Sequence, residues 1–126
     1  MNCIFVINKF EEVKAKEFIK SLTDNTHVKP IFVVVDWANT DWVQAYEDMQ
    51  ALITTYYPEF VFVMWISNWN IFVWNWELDK NFKIREMKFQ TLWAYYKLVP
   101  SFSYSYFYSK WREDVLKDVI TCLLWI

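Results

Sequence analysis

Two uninterrupted apolar runs, Ile31–Val35 and Phe60–Ile66, flank a segment whose apolar residues recur at three- and four-residue steps. A strand with one wet face alternates polar and apolar residues, whereas a run without alternation needs cover on both faces. Helices on the two sides of a sheet supply that cover. The intervening stripe, Trp42, Ala45, Tyr46, Met49, Leu52, Ile53 and Tyr56, is that of an amphipathic helix. Asp41, with Gln44 three residues on, is placed to cap its start, and Pro58 to stop it. The pattern predicts parallel strands joined by a helix, lying side by side at the centre of a sheet.

The flanking sequence extends this unit. Cys3–Ile7 is a short apolar strand, and Asn8-Lys9-Phe10-Glu11 has the spacing of a capping box for a first helix. Its stripe is Phe10, Val13, Phe18, Ile19 and Leu22, and the polar stretch Thr23–Pro30 forms a turn. Ser67–Phe82 suits a loop and a helix, with Ile71, Trp74, Leu78 and Phe82 on one face. Met87–Tyr96 and Phe102–Phe107 read as strands, the second because aromatic residues alternate with Ser101, Ser103 and Ser105. The link Leu98-Val99-Pro100 makes them an antiparallel hairpin. Ser109 caps a last helix that turns Val115, Leu116, Val119, Ile120 and Leu123 inward, with Glu113 and Asp114 at its positive end. The expected fold is α/β, one domain over residues 1–126, with a mixed sheet flanked by helices in the order β-α-β-α-β-α-β-β-α.

Composition removes several function classes. The chain has no glycine, so a phosphate-cradling loop that depends on close backbone approach is excluded. Its turns must then use Asn, Asp, Ser and Pro, or place other residues at positive φ. A formal net charge of -2 gives no electrostatic footprint for nucleic acid. The longest apolar runs are too short to span a bilayer, and Met1–Ile7 is too short for the apolar core of a secretory signal. Cys3 and Cys122 sit at opposite ends of the sequence and make a poor disulfide framework, which favours a reducing, intracellular compartment. Aromatic residues reach 22%, including nine Trp, more than so short a chain is expected to bury. Part of that surplus is expected as an exposed patch, the usual mark of a partner surface.

The run Ile31–Asp36 followed by Trp37-Ala38-Asn39-Thr40-Asp41-Trp42-Val43-Gln44-Ala45 resembles the start of a thioredoxin domain, where a Cys-x-x-Cys pair opens a helix. Asp41–Ala45 is similar to the Asp-Cys-Val-Gln-Ala of small cytosolic thioredoxin-related proteins. Lys80–Ile84 is similar to their Lys-Asn-Leu-Lys-Val, and Phe89–Leu92 to their Val-Pro-Thr-Leu. In that register Asn39 and Trp42 occupy the two cysteine positions; in the register of ordinary thioredoxins Trp42 and Ala45 do. Gln90 stands where the resemblance implies a cis-proline, and without chemistry to maintain it the Phe89–Gln90 peptide is expected to be trans. Disulfide exchange needs a low-pKa thiolate and a resolving thiol, and neither alignment supplies them.

The remaining candidates favour bland roles. Cys3 in its strand and Cys122 beside Leu123 and Leu124 read as inert packing. His27, with no ligand cluster around it, reads as a surface loop residue, and Asp36 as a turn cap. Glu77, Asp79, Glu86, Glu113 and Asp114 read as a solvated face. The Trp-rich stretch Trp65–Trp76 lacks Lys and Arg, which favours core or protein contact over base stacking.

The sequence therefore predicts a non-catalytic thioredoxin-like domain, without cofactor or metal, acting through protein contact as a subunit or accessory factor. Its expected contact residues are Trp37, Trp42, Trp69, Trp74 and Trp76. The rival readings are a designed α/β chain without biological function, which the absence of glycine favours, and a disulfide reductase working through a lone cysteine.

Overall fold

The computed structural model describes residues 1–64, 85–89 and 94–126. Among the described residues five strands form one sheet: β1 (Asn2–Asn8), β2 (Lys29–Val35), β3 (Phe60–Met64), β4 (Arg85–Phe89) and β5 (Ala94–Ser101). Their spatial order is β2-β1-β3-β5-β4, with the first four parallel and β4 antiparallel at the edge. The α-helices of the described residues are α1 (Glu12–Thr23), α2 (Trp42–Tyr56), α3 (Tyr104–Ser109) and α4 (Glu113–Leu124). The α/β class and the helical flanking expected from the apolar runs are both present. The predicted helix within Ser67–Phe82 lies outside the described residues.

Strand parity divides the core into two layers. Cys3, Phe5, Ile7, Phe60, Phe62, Met64 and Val99 pack against α1 and α4 on one face. Ile4, Val6, Val61, Val63, Tyr96 and Leu98 pack against Met49 and Ile53 of α2 on the other. Phe5 lies level with Phe32 on β2 and Phe62 on β3, its ring stacked on Phe62 at 4.9 Å. The β1–α1–β2 and β2–α2–β3 connections thus use opposite faces, and β1 has a parallel neighbour on each side.

That position of β1 corrects the predicted adjacency: β2 and β3 are not neighbours, because β1 stands between them. Cys3–Ile7 is wholly buried, whereas Ile31–Val34 are only half-buried, as an edge requires. The second expected strand pair also shifts. β4 and β5 pair from Arg85 opposite Leu98 to Phe89 opposite Ala94, so the hairpin reverses before β5 rather than at Pro100. Pro100 instead lies within β5, opposite Val63. Lys97 donates its N–H to Glu59 O at 2.9 Å, which directs alternate residues Leu98 and Pro100 away from β3. Pairing with β4 reaches only Leu98, so the missing N–H of Pro100 costs no described ladder bond.

The predicted strand Phe102–Phe107 is instead a loop and α3. Ser103 Oγ accepts the Tyr106 N–H at 3.2 Å, an N-cap that turns the serine–aromatic alternation into a short helix. The capping box at Asn8–Glu11 does not form: Asn8 makes no side-chain cap, and its Nδ2 donates to Met64 O at 3.4 Å. Ser109 ends α3 rather than starting α4, whose N-cap is Arg112. In α1 the buried row is Ala15, Ile19 and Thr23, which leaves Phe10 and Val13 exposed. In α4 it is Leu116, Ile120 and Leu124, which leaves Val115 and Val119 exposed and Leu123 half-buried.

The predicted α2 boundaries hold. Asp41 Oδ1 accepts from Val43 N at 3.1 Å and Gln44 N at 3.3 Å, and the helix ends before Pro58. Among the described residues, positive φ falls on Asn25, Tyr57, Trp111 and Trp125. A non-glycine residue there costs on the order of 1 kcal/mol or more. Tyr57 offsets some of that cost at the α2 C-terminus by donating its N–H to Ile53 O at 3.0 Å.

Candidate functional site

Parallel sheets of this kind present their functional loops beyond the carboxyl ends of the strands. At the β2 end, Asp36 leads into a 3-10 turn, Trp37–Asn39, and then into α2. The Asp36 carbonyl accepts from Asn39 N at 3.1 Å and from Thr40 Oγ1, while its carboxylate accepts from Asn39 Nδ2 at 3.0 Å. Lys9 Nζ, just beyond β1, lies 3.8 Å from the same carboxylate. Asp36 thus serves the turn, as its position in the sequence predicts.

The expected contact residues gather only in part. Trp37 and Trp42 share this corner through the backbone, but their side chains lie outside the described part of the structure. Trp69, Trp74, Trp76, Gln90 and the Phe89–Gln90 peptide lie outside the described residues altogether. Asn39 is exposed on the turn, and Ala45 is half-buried against the α2-side core. Cys3 is fully buried, and burial, then the charge of Glu59, pushes its thiol far above its ordinary value. Cys122 corrects the packing expectation: it is exposed on α4. His27 is exposed after α1. Among the described residues no group of three His, Cys, Asp or Glu could hold a metal ion, and no helix is long and apolar enough to cross a membrane.

An aromatic surface is present elsewhere, on α3 and the turns on either side of it. Phe102, Tyr106, Tyr108 and Trp111 are exposed, Trp111 at 92%. Phe102 and Tyr106 stack at 4.4 Å, and Phe107 meets both rings edge-on. Beside them opens an apolar cleft of about 170 Å³, walled by Phe102, Phe107 and Val119, with Phe62 and Val99 on the sheet beneath. Lys14 of α1 lies over the Tyr108 ring at 4.6 Å and bounds the patch on that side.

One buried carboxylate sets the position of this surface. Glu11, after β1, is 4% exposed. It accepts the Tyr104 N–H at 3.2 Å, the Ser105 N–H at 2.7 Å and the Ser105 hydroxyl at 2.7 Å. The two N–H groups are free donors of the α3 N-terminus, and the carboxylate satisfies them with charge-assisted bonds. Tyr104 itself turns inward, 5.2 Å from the Phe18 ring, and donates its hydroxyl to Glu113 Oε2 at 3.1 Å. Glu113 is therefore half-buried and bonded, not part of a solvated face. With Tyr104 inward, Tyr106 two residues on is left outward, while Tyr108, one turn on, keeps its ring 6.2 Å from that of Tyr104 and still remains exposed. Sequence reasoning missed this patch because it read α3 as a strand. The signal was available: a short segment with Tyr104, Tyr106, Phe107 and Tyr108 cannot bury every ring.

No protein-family model matches the chain, and no curated protein or solved structure matches it.

Proposed function

We propose that this chain is a non-catalytic α/β protein that works by protein contact through the α3–α4 aromatic surface. The observation that carries the reading is exposed Phe102, stacked on Tyr106 at the wall of an apolar cleft, with Tyr108 and Trp111 exposed on the same short segment. Aromatic anchors next to a pocket are the arrangement in which a few side chains dominate binding energy. Asn39 and Ala45, at positions where the sequence likeness implies thiols, and the buried Cys3 support a role without disulfide turnover. The layering of a sheet between helices supports a thioredoxin-like reading, whereas the separation of β2 from β3 by β1 counts against it. The contact function does not depend on which holds.

The test uses Tyr106→Ala and Trp111→Ala in affinity capture from the producing cell, followed by titration of the captured protein. Each truncation is expected to weaken binding by about 2 kcal/mol, roughly 30-fold. Trp111→Ala should change folding stability by no more than about 0.5 kcal/mol, because that ring is exposed. Tyr106→Ala also loses its contacts with Phe102 and Phe107, about 0.5–1.5 kcal/mol. Unchanged affinity in both variants would remove this surface from the function.

A further inference from the structure

The outer side of β2 carries a pattern of backbone groups that fits its own copy. Lys29 donates its N–H to Met1 O at 2.8 Å, so Lys29, Ile31, Val33 and Val35 direct their backbone groups toward β1. The alternate residues Pro30, Phe32 and Val34, with the extended Asp36 beyond them, direct theirs outward. Among the described residues no strand pairs with that side. The edge is apolar on both faces, and Lys29 and Pro30 occupy its beginning, where they blunt indiscriminate pairing.

We propose that β2 pairs antiparallel with β2 of a second copy of this chain, about a twofold axis at Val33, so that the two sheets become one. In this register Phe32 faces Val34 of the second copy, and each pair exchanges both N–H···O bonds. Pro30 then faces Asp36 of the second copy, whose N–H meets the Pro30 carbonyl. The donor that proline lacks would have met the Asp36 carbonyl, which already accepts from Asn39 N and Thr40 Oγ1. The missing donor and the occupied acceptor coincide, and every other outward N–H finds a carbonyl. Centring the axis on Phe32 instead sets Pro30 against Val34 and leaves the Val34 carbonyl without a donor. The same pairing places Val33 against Val33, flanked by Ile31 and Val35, and Phe32 beside Val34. These are favourable apolar cross-strand neighbours on both faces. A twofold edge pairing is closed, so it uses up the exposed edge rather than propagating it.

Sedimentation equilibrium of the full chain should show a dimer. In a non-hydrogen-bonded antiparallel pair the two Val33 Cα atoms lie about 4.5 Å apart, within the range of a disulfide. Val33→Cys, in a Cys122→Ser background, should therefore form a covalent dimer with oxidised glutathione, while Val34→Cys in the same background should cross-link far less. Val33→Lys and Val33→Glu should each be monomeric, and a mixture of the two should restore a dimer. A monomer at the highest soluble concentration overturns the proposal. So does a failure of Val33→Cys to cross-link, or Val33→Lys and Val33→Glu proteins that still self-associate. The Cys variant changes little volume, so its result stands even where the charged variants fold poorly.

Discussion

Replacing Glu11 by alanine should destabilise the protein far more than its place in a short 3-10 turn suggests. The carboxylate holds the N-terminus of α3 from more than ninety residues away in sequence, through the Tyr104 N–H, the Ser105 N–H and the Ser105 hydroxyl. A hydrogen bond to a charged group contributes about 1.5–3 kcal/mol net, and an orphaned buried donor costs about 1–3 kcal/mol. The three bonds share one desolvated carboxylate, so their contributions do not add in full. Ser105 is half-exposed, so water replaces part of what it loses, whereas Tyr104 is buried and its N–H bears the full penalty. Glu11→Ala should therefore cost about 3–4 kcal/mol. Glu11→Gln keeps one acceptor oxygen but turns an NH₂ group toward the other donors, and should cost about 2 kcal/mol. Urea unfolding at constant m-value measures both losses. Amide exchange should rise first in Tyr104–Ser109, the element the carboxylate secures. A Glu11→Ala loss below about 0.5 kcal/mol, the range of an ordinary surface change, would refute the reasoning.

Thiol accessibility follows directly from burial: a disulfide reagent should titrate Cys122 in the folded protein and reach Cys3 only after unfolding. Rapid native reaction at Cys3 would contradict its position in β1 and its strongly raised pKa. The Tyr104 phenol is pushed up to about 12, first by burial and then by its hydrogen bond to the Glu113 carboxylate. Its folded-state pKa lies above the unfolded value of about 10, so its contribution to stability is complete below pH ~10 and falls as pH rises toward ~12. Burial likewise pushes the Tyr96 phenol up to about 12. Alkaline difference absorbance should therefore show both phenols titrating late, and Tyr104→Phe should reduce that late step by one phenol; an unchanged late amplitude would contradict the assignment.

Much of the fold is written in local pattern. Ile31–Val35, Phe60–Met64 and the Asp41-capped stripe of α2 identify themselves because burial on two faces and helical periodicity are properties of a short window. The strand order is not such a property, since β1, β2 and β3 are similarly apolar. Pro30 nevertheless carried a usable signal, because a residue without an N–H sits comfortably in a strand only where that side is unpaired. Including it in β2 marks this strand as an edge and leaves Cys3–Ile7 for the centre. Pro100 does not mark an edge, since β5 lies between β3 and β4; the described pairing with β4 stops at Leu98, short of it.

The α3 surface was harder to read because its cause is distant. Alternating serines and aromatics from Ser101 to Tyr106 satisfy a strand as well as a capped helix, and nothing within that window decides between them. Glu11 adds what the window lacks, negative charge at the end where a helix leaves its N–H groups free. Once α3 is helical, Tyr104 fills the space beside Phe18, and Tyr106, against Phe102 and Phe107, and Tyr108, beneath Lys14, keep an exposed side for a partner. The candidate surface therefore depends on a carboxylate that touches none of its exposed rings. Loss of Glu11 should weaken partner binding as well as stability. Binding lost at Glu11 but kept in Tyr106→Ala and Trp111→Ala would locate the partner elsewhere on the fold.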